Sequence, residues 1–241
     1  SLDASLLESL KAELGIRTTI NNEELVREAD IVLLATKPYT VIPVLSEVEG
    51  LLRPGQILVS VAGGLRTQTI EDALSRQLPV VRVMPNTPSL IGEGTNAFCP
   101  GRFASSQDTK AVETLLGATG LAVQVTEEQM DAVTAISGSG PAYVFLFMEA
   151  FYSAAEGLGL NPDSARSLVN QTMRGAVELA IASDDDPAEL RRKVTSPGGV
   201  TAEAIATFEA EGFRSIIRKA VQAGHDRSAE MTRACDSGQA T

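Results

Sequence analysis

Five short segments of this chain combine residue types and spacing that suit an anionic ligand. Thr36-Lys37-Pro38, Ala62-Gly63-Gly64 and Met84-Pro85-Asn86-Thr87-Pro88 each follow a β-branched apolar run. In open α/β sheets, ligands bind along the carboxyl ends of the strands, where glycine and proline turns let backbone amides come close. Lys37, one of five lysines, stands at such an end and suits contact with an anion. The same residues could simply punctuate the strand ends. Ser137-Gly138-Ser139-Gly140-Pro141 puts hydroxyls and glycines ahead of a proline-initiated helix, a pattern that caps a helix and also presents amides at its positive end. Thr195-Ser196-Pro197-Gly198-Gly199-Val200-Thr201 turns straight into Ala202-Glu203-Ala204-Ile205, with Thr201 at the expected N-cap. A carboxylate could take the amides of Gly199 and Val200 while the Thr201 hydroxyl meets a neighbouring polar atom. A plain capped turn would read the same way.

Other chemistry is poorly supplied. The single histidine, His225, lies among Lys219, Asp226 and Arg227 and reads as solvated; Cys99 and Cys235 are far apart. Neither a zinc site nor a Ser-His-Asp arrangement follows from these, so no metal is expected. Two distant cysteines also argue for a reducing compartment. Asp184-Asp185-Asp186 before Pro187 reads as an acidic helix start. With 20 Lys+Arg against 31 Asp+Glu the net charge is −11, which disfavours a nucleic-acid partner. The longest uncharged stretch, 17 residues from Ala132 to Met148, is broken by glycines and a proline. A membrane helix needs about 20 apolar residues, so none is expected. Ser1-Leu2-Asp3 opens without a signal-peptide pattern. The expectation is a soluble, cytoplasmic protein.

These segments must be held by elements of two kinds. Up to about residue 126, the apolar runs 31–35, 57–61 and 80–83 read as buried strands. Helical patterns at 4–14, 22–29, 40–52 and 67–77 lie between them, with Asn21 and Glu24 spaced as a capping box. Short strands near 96–98 and 123–125 flank a helix at 106–118. From 127 on the pattern is helical, at 127–135, 139–158, 162–182, 187–194, 201–210 and 213–234. This predicts a doubly wound α/β domain over residues 1–126, followed by an all-α domain over 127–241. Tyr143 to Met148 is a continuous apolar run, so the 139–158 helix should be buried on most sides, with a second subunit as the natural cover.

Three of the segments, Val83-Met84-Pro85-Asn86-Thr87-Pro88, Ile136-Ser137-Gly138-Ser139-Gly140-Pro141-Ala142-Tyr143 and Leu190 to Thr201, together resemble pyrroline-5-carboxylate reductase in order and spacing, from Ser1 to about Ser228. These enzymes reduce a cyclic imine with NADPH or NADH in the last step of proline biosynthesis. The resemblance implies that Asn22 contacts the adenosine side of the cofactor. Ala35, Thr36, Lys37 and Pro38, with Ala62 and Gly63, would line its pyrophosphate and ribose. Met84, Asn86 and Thr87 would hold the nicotinamide end. Ser196, Gly199, Val200 and Thr201 would bind the imino acid, with Val194 packing nearby and Asp184 in a weaker role. It also implies a homodimer, with a decamer as the higher assembly. The family pattern opens with a strand, a G-x-G-x-x-G turn, a helix and a second strand, and no G-x-G-x-x-G occurs here. The fold expected is therefore a Rossmann-like domain lacking its first strand-helix-strand, roughly 30 residues, followed by the helical dimerisation domain.

The reaction explains the missing acid–base pair. A protonated imine brings its own proton, so the protein mainly positions the reactants; Thr201, touching the ring nitrogen, is the one residue assigned a catalytic role. A β-hydroxyacid-type dehydrogenase would need a lysine on the long helix, and none lies between Lys110 and Lys193. A helical oligomerisation module with an incomplete nucleotide domain is the non-enzymatic alternative.

Overall fold

The computed structural model describes residues 3–238. Five strands, β1 (Ile31–Leu34), β2 (Ile57–Ser60), β3 (Val80–Met84), β4 (Gly94–Pro100) and β5 (Gly120–Gln124), form one sheet in chain order. β1, β2 and β3 run parallel, β4 is antiparallel to β3, and β5 is parallel to β4. The direction changes because only a short turn, Thr87–Ile91, separates β3 from β4; a parallel neighbour needs a crossover of about a dozen residues or more.

Helices α1 (Ala4–Leu14), α2 (Asn22–Glu28), α3 (Pro38–Val48), α4 (Thr67–Asp72) and α5 (Ser106–Gly117) accompany the sheet. Two apolar clusters form the core. One joins Val41, Leu45 and Val48 of α3 and Ile70 of α4 to Leu58 and Val80. The other joins Val112 of α5 to Ile57, Val59, Val81, Val83 and Phe98. Alternate residues of β2 and β3 thus fall into different clusters, as a sheet covered on both faces requires. Two details depart from the sequence reading. α4 stops at Asp72 rather than 77: the Ala73 and Leu74 amides turn to the Ile70 and Glu71 carbonyls at 3.3 and 3.2 Å, and Arg76 reaches the Leu52 carbonyl at 2.9 Å. Asn21 does cap α2, accepting from the Glu23 and Glu24 amides, but Glu24 accepts from the Thr19 hydroxyl, so only half of the capping box is present.

After β5 the expected helix at 127–135 is three pieces: a 3-10 turn Glu127–Gln129, α6 (Met130–Val133) and a π-helical turn Thr134–Gly138. Then come α7 (Gly140–Gly157), α8 (Pro162–Ala182), α9 (Pro187–Lys193), α10 (Val200–Ala210) and α11 (Phe213–Asp236). The chain packs as two compact units. One runs to Gly138 and takes in the end of the chain from Gly224; the other is Ser139–Ala223. These units are drawn differently from a division at residue 126. Met130 and Ala135 are buried, and Asp131 accepts hydrogen bonds from Ser228 at 2.7 Å and Thr232 at 3.0 Å, which ties 127–138 and the end of α11 to the sheet unit. In the second unit α7 is not buried on most sides as expected. No residue of it is buried within one chain, and Phe145 and Leu146 are 55% and 67% exposed. No helix among the described residues is long and apolar enough to cross a membrane.

Candidate cofactor and substrate site

In the first unit the crest of the parallel strands carries the predicted cofactor residues. Ala35, Thr36 and Lys37 are exposed where β1 ends, and Pro38 opens α3 at its first position. Lys37 occupies the N-cap position without capping through its side chain. Its ammonium is therefore available beside the positive end of an 11-residue helix, a setting that suits an anion. After β2, Ala62 is buried and Gly63 has open space where a Cβ would stand, so a ligand can approach its backbone. After β3, Met84 and Asn86 are half-buried and Thr87 is exposed. Asn86 accepts from the Thr95 amide at 2.8 Å and donates to the Ser137 carbonyl at 3.0 Å. Asn22 is half-buried at the start of α2 and donates to Glu47 at 3.4 Å.

Beneath the crest lies a polar group that the sequence reading passed over. Arg82 of β3, its side chain 3% exposed, pairs with Glu127. Glu127 also accepts from the Thr67 amide at 3.1 Å and hydroxyl at 2.8 Å, so it caps α4 directly after the Gly63-Gly64 turn. Cys99 donates to the same carboxylate at 3.6 Å. Burial, with the Glu127 charge second, pushes the Cys99 thiol up to about 12. The available signal was an arginine inside the apolar run Val80-Val81-Arg82-Val83, which needs a buried partner.

In the second unit the Thr195–Thr201 turn carries its own internal hydrogen bond. Gly198 sits at φ 67, and Gly199 donates to the Ser196 carbonyl at 3.0 Å. A Cβ on Gly199 would stand 3.2 Å from that oxygen, so glycine is suited to the position. Two expectations are corrected. The Gly199 amide is already used inside the turn, leaving the amides of Val200 and Thr201, which no carbonyl within the helix can reach. The N-cap is Gly199, not Thr201; Thr201 is the second residue of α10, half-buried, and no side chain caps this helix. Val200 is 90% and Val194 64% exposed, and Ser196 is exposed. Asp184 is exposed, Asp185 pairs with Lys193, and Asp186 caps α9 through the Glu189 amide at 2.8 Å. His225 is half-exposed beside Asp226 at 3.2 Å.

An α/β crest of exposed glycine- and proline-bearing turns with one lysine suits a dinucleotide, as in the class of nicotinamide-dinucleotide oxidoreductases. A family model described as "NADP oxidoreductase coenzyme F420-dependent" matches residues 1–64, and one described as "Pyrroline-5-carboxylate reductase dimerisation" matches residues 127–231. The chain is 42% identical over 223 residues to the pyrroline-5-carboxylate reductase of Pseudomonas aeruginosa, covering 92% of this chain and 82% of that one. A solved pyrroline-5-carboxylate reductase from Coxiella burnetii aligns with TM-score 0.90 and 35% identity over 96% of this chain and 87% of that one. The NADP-bound enzyme of Plasmodium falciparum aligns with TM-score 0.83 and 36% identity, over 89% and 81%. The chain belongs to the pyrroline-5-carboxylate reductase family.

Proposed function

We propose that this chain reduces 1-pyrroline-5-carboxylate to L-proline with NADPH or NADH, the last step of proline biosynthesis, and that the two turns divide the work. The observation that carries the reading is the agreement in identity and coverage with named reductases. The crest fits a dinucleotide by its own chemistry: exposed residues at Ala35–Lys37, open backbone at Gly63, and one lysine at a helix start. Asn22 serves the adenosine side, Ala35–Pro38, Ala62 and Gly63 the pyrophosphate and ribose, and Met84–Thr87 the nicotinamide end. When bound, the reduced nicotinamide supplies the hydride.

Ser196, Gly199, Val200 and Thr201 form the imino-acid site, with Val194 beside it. The amides of Val200 and Thr201 hold the carboxylate at the positive end of α10. The Thr201 hydroxyl orients the ring nitrogen, and because the substrate carries its proton, no stronger acid is needed. Functionally, residues 1–126 make the dinucleotide domain, and 127–241 make the substrate and dimerisation domain. The protein acts in the cytoplasm as a homodimer, with decamers as the higher assembly. The exposed apolar face of α7 supports the dimer.

Calorimetric titration with NADPH, followed by reduction of the imino acid, tests this reading. Binding with turnover is expected. A stable oligomer that binds no dinucleotide would support an oligomerisation module instead.

A further inference from the structure

The strand register leaves a gap that Asn86 fills. β3 and β4 pair with Met84 opposite Ala97, so the same antiparallel register would set residue 86 opposite Thr95. β3 ends at Met84, while β4 includes Thr95. The Thr95 N–H is met by the Asn86 side-chain oxygen at 2.8 Å in place of a strand carbonyl.

A second gap lies at the other end of the same side chain. In an α-helical continuation, the Ser137 carbonyl would accept from residue 141, which is Pro141 and has no N–H. The next amide, Ala142, is spent on the Ser139 carbonyl at 3.0 Å. Asn86 Nδ2 supplies the donor instead, at 3.0 Å from the Ser137 oxygen. Met84 closes on the same place: a Cβ on Gly138 would stand 2.5 Å from Met84 Cε, so a side chain there would push the end of Met84 aside.

The geometry points to Asn86 as a positioning residue whose side chain clamps the Met84–Thr87 loop to β4 and to the segment entering α7, instead of contacting the nicotinamide itself. A carboxamide whose oxygen and nitrogen are both committed to backbone groups cannot turn toward a ligand without breaking both bonds. The clamp rests on the reading that this loop holds the nicotinamide end; its effect on catalysis comes through the placing of that loop.

Two substitutions separate the bonds. Asn86→Asp keeps an acceptor for Thr95 but removes the donor and sets a carboxylate against the Ser137 carbonyl. Asn86→Ala removes both. Amide hydrogen exchange, followed by NMR on the nucleotide-free protein, should show Thr95 as protected in Asn86→Asp as in the unaltered chain. In Asn86→Ala it should exchange about tenfold faster. In steady-state assays Asn86→Asp should lower kcat about tenfold, with the dinucleotide KM changed less than about twofold, and should raise the isotope effect with 4-deuterated NADPH. A rise in dinucleotide KM with kcat unchanged would show direct contact and overturn the proposal, as would unchanged Thr95 protection in Asn86→Ala. Absence of imino-acid reduction by the unaltered chain would overturn the function instead, and the exchange measurement would still decide the clamp.

Discussion

Thr201 stands one residue inside α10, which changes what its substitution should do. Because Gly199 is the N-cap and no side chain caps the helix, Thr201→Ala removes no cap and should leave the melting temperature nearly unchanged. If its hydroxyl holds the ring nitrogen, the lost bond to a charged group is worth roughly 1.5–3 kcal/mol, about one to two powers of ten in kcat. Thr201→Ser should keep most activity. Kinetics beside thermal melting decide the matter; unchanged turnover in the alanine variant would remove Thr201 from the chemistry. Lys37→Ala should raise the KM for the dinucleotide more than that for the imino acid, since its ammonium stands at the start of α3. Equal effects on both would place Lys37 outside the cofactor site. Cys99 has a raised thiol pKa, so the folded state favours the neutral form. Its contribution to stability is complete below about pH 9 and is lost as pH rises from there toward 12. Native protein at pH 8 should therefore resist alkylation at Cys99, while the unfolded chain reacts at both cysteines; rapid native labelling of Cys99 would contradict its burial.

At the scale of elements, Glu127 fastens three pieces that are distant in sequence. It caps α4, pairs with Arg82 of β3, and begins the stretch leading through α6 to the π-helical turn. Glu127→Ala would leave Arg82 buried and uncompensated, at a cost of about 3–5 kcal/mol. Replacing Arg82 with Met as well should recover much of that loss, because the apolar pair no longer buries a lone charge. Denaturant unfolding of the single and double variants measures both. A double variant no more stable than Glu127→Ala would assign the loss to the α4 cap.

For the whole molecule the decisive feature is α7. Its Val144, Phe145 and Leu146 are each more than half exposed in one chain, too much contiguous apolar surface to leave in water. Phe147, Phe151, Phe208 and Phe213 pack in tilted pairs nearby, with ring centroids 4.7–6.1 Å apart. Leu146→Glu should fold, since the residue is 67% exposed, yet should sediment as a monomer at micromolar concentration where the unaltered chain should sediment as a dimer. A compact monomer for the unaltered chain would rule out this interface.

What the sequence determined by itself is what local periodicity and rigid residues can determine. Buried apolar runs announced β1, β2 and β3, and proline and glycine marked the starts of α7, α8 and α9 and the turn before α10. Those signals depend on neighbours a few residues apart, and the three motifs that carried the family resemblance are contiguous as well. Tertiary structure decided what distant partners settle. Glu127 meets Arg82 and Thr67 across the sheet, so the stretch after β5 packs with the sheet unit. Asn86 completes a strand that has ended and satisfies a carbonyl that Pro141 cannot. Each of these is a hydrogen bond chosen by geometry in space, and spacing along the chain carries no record of it.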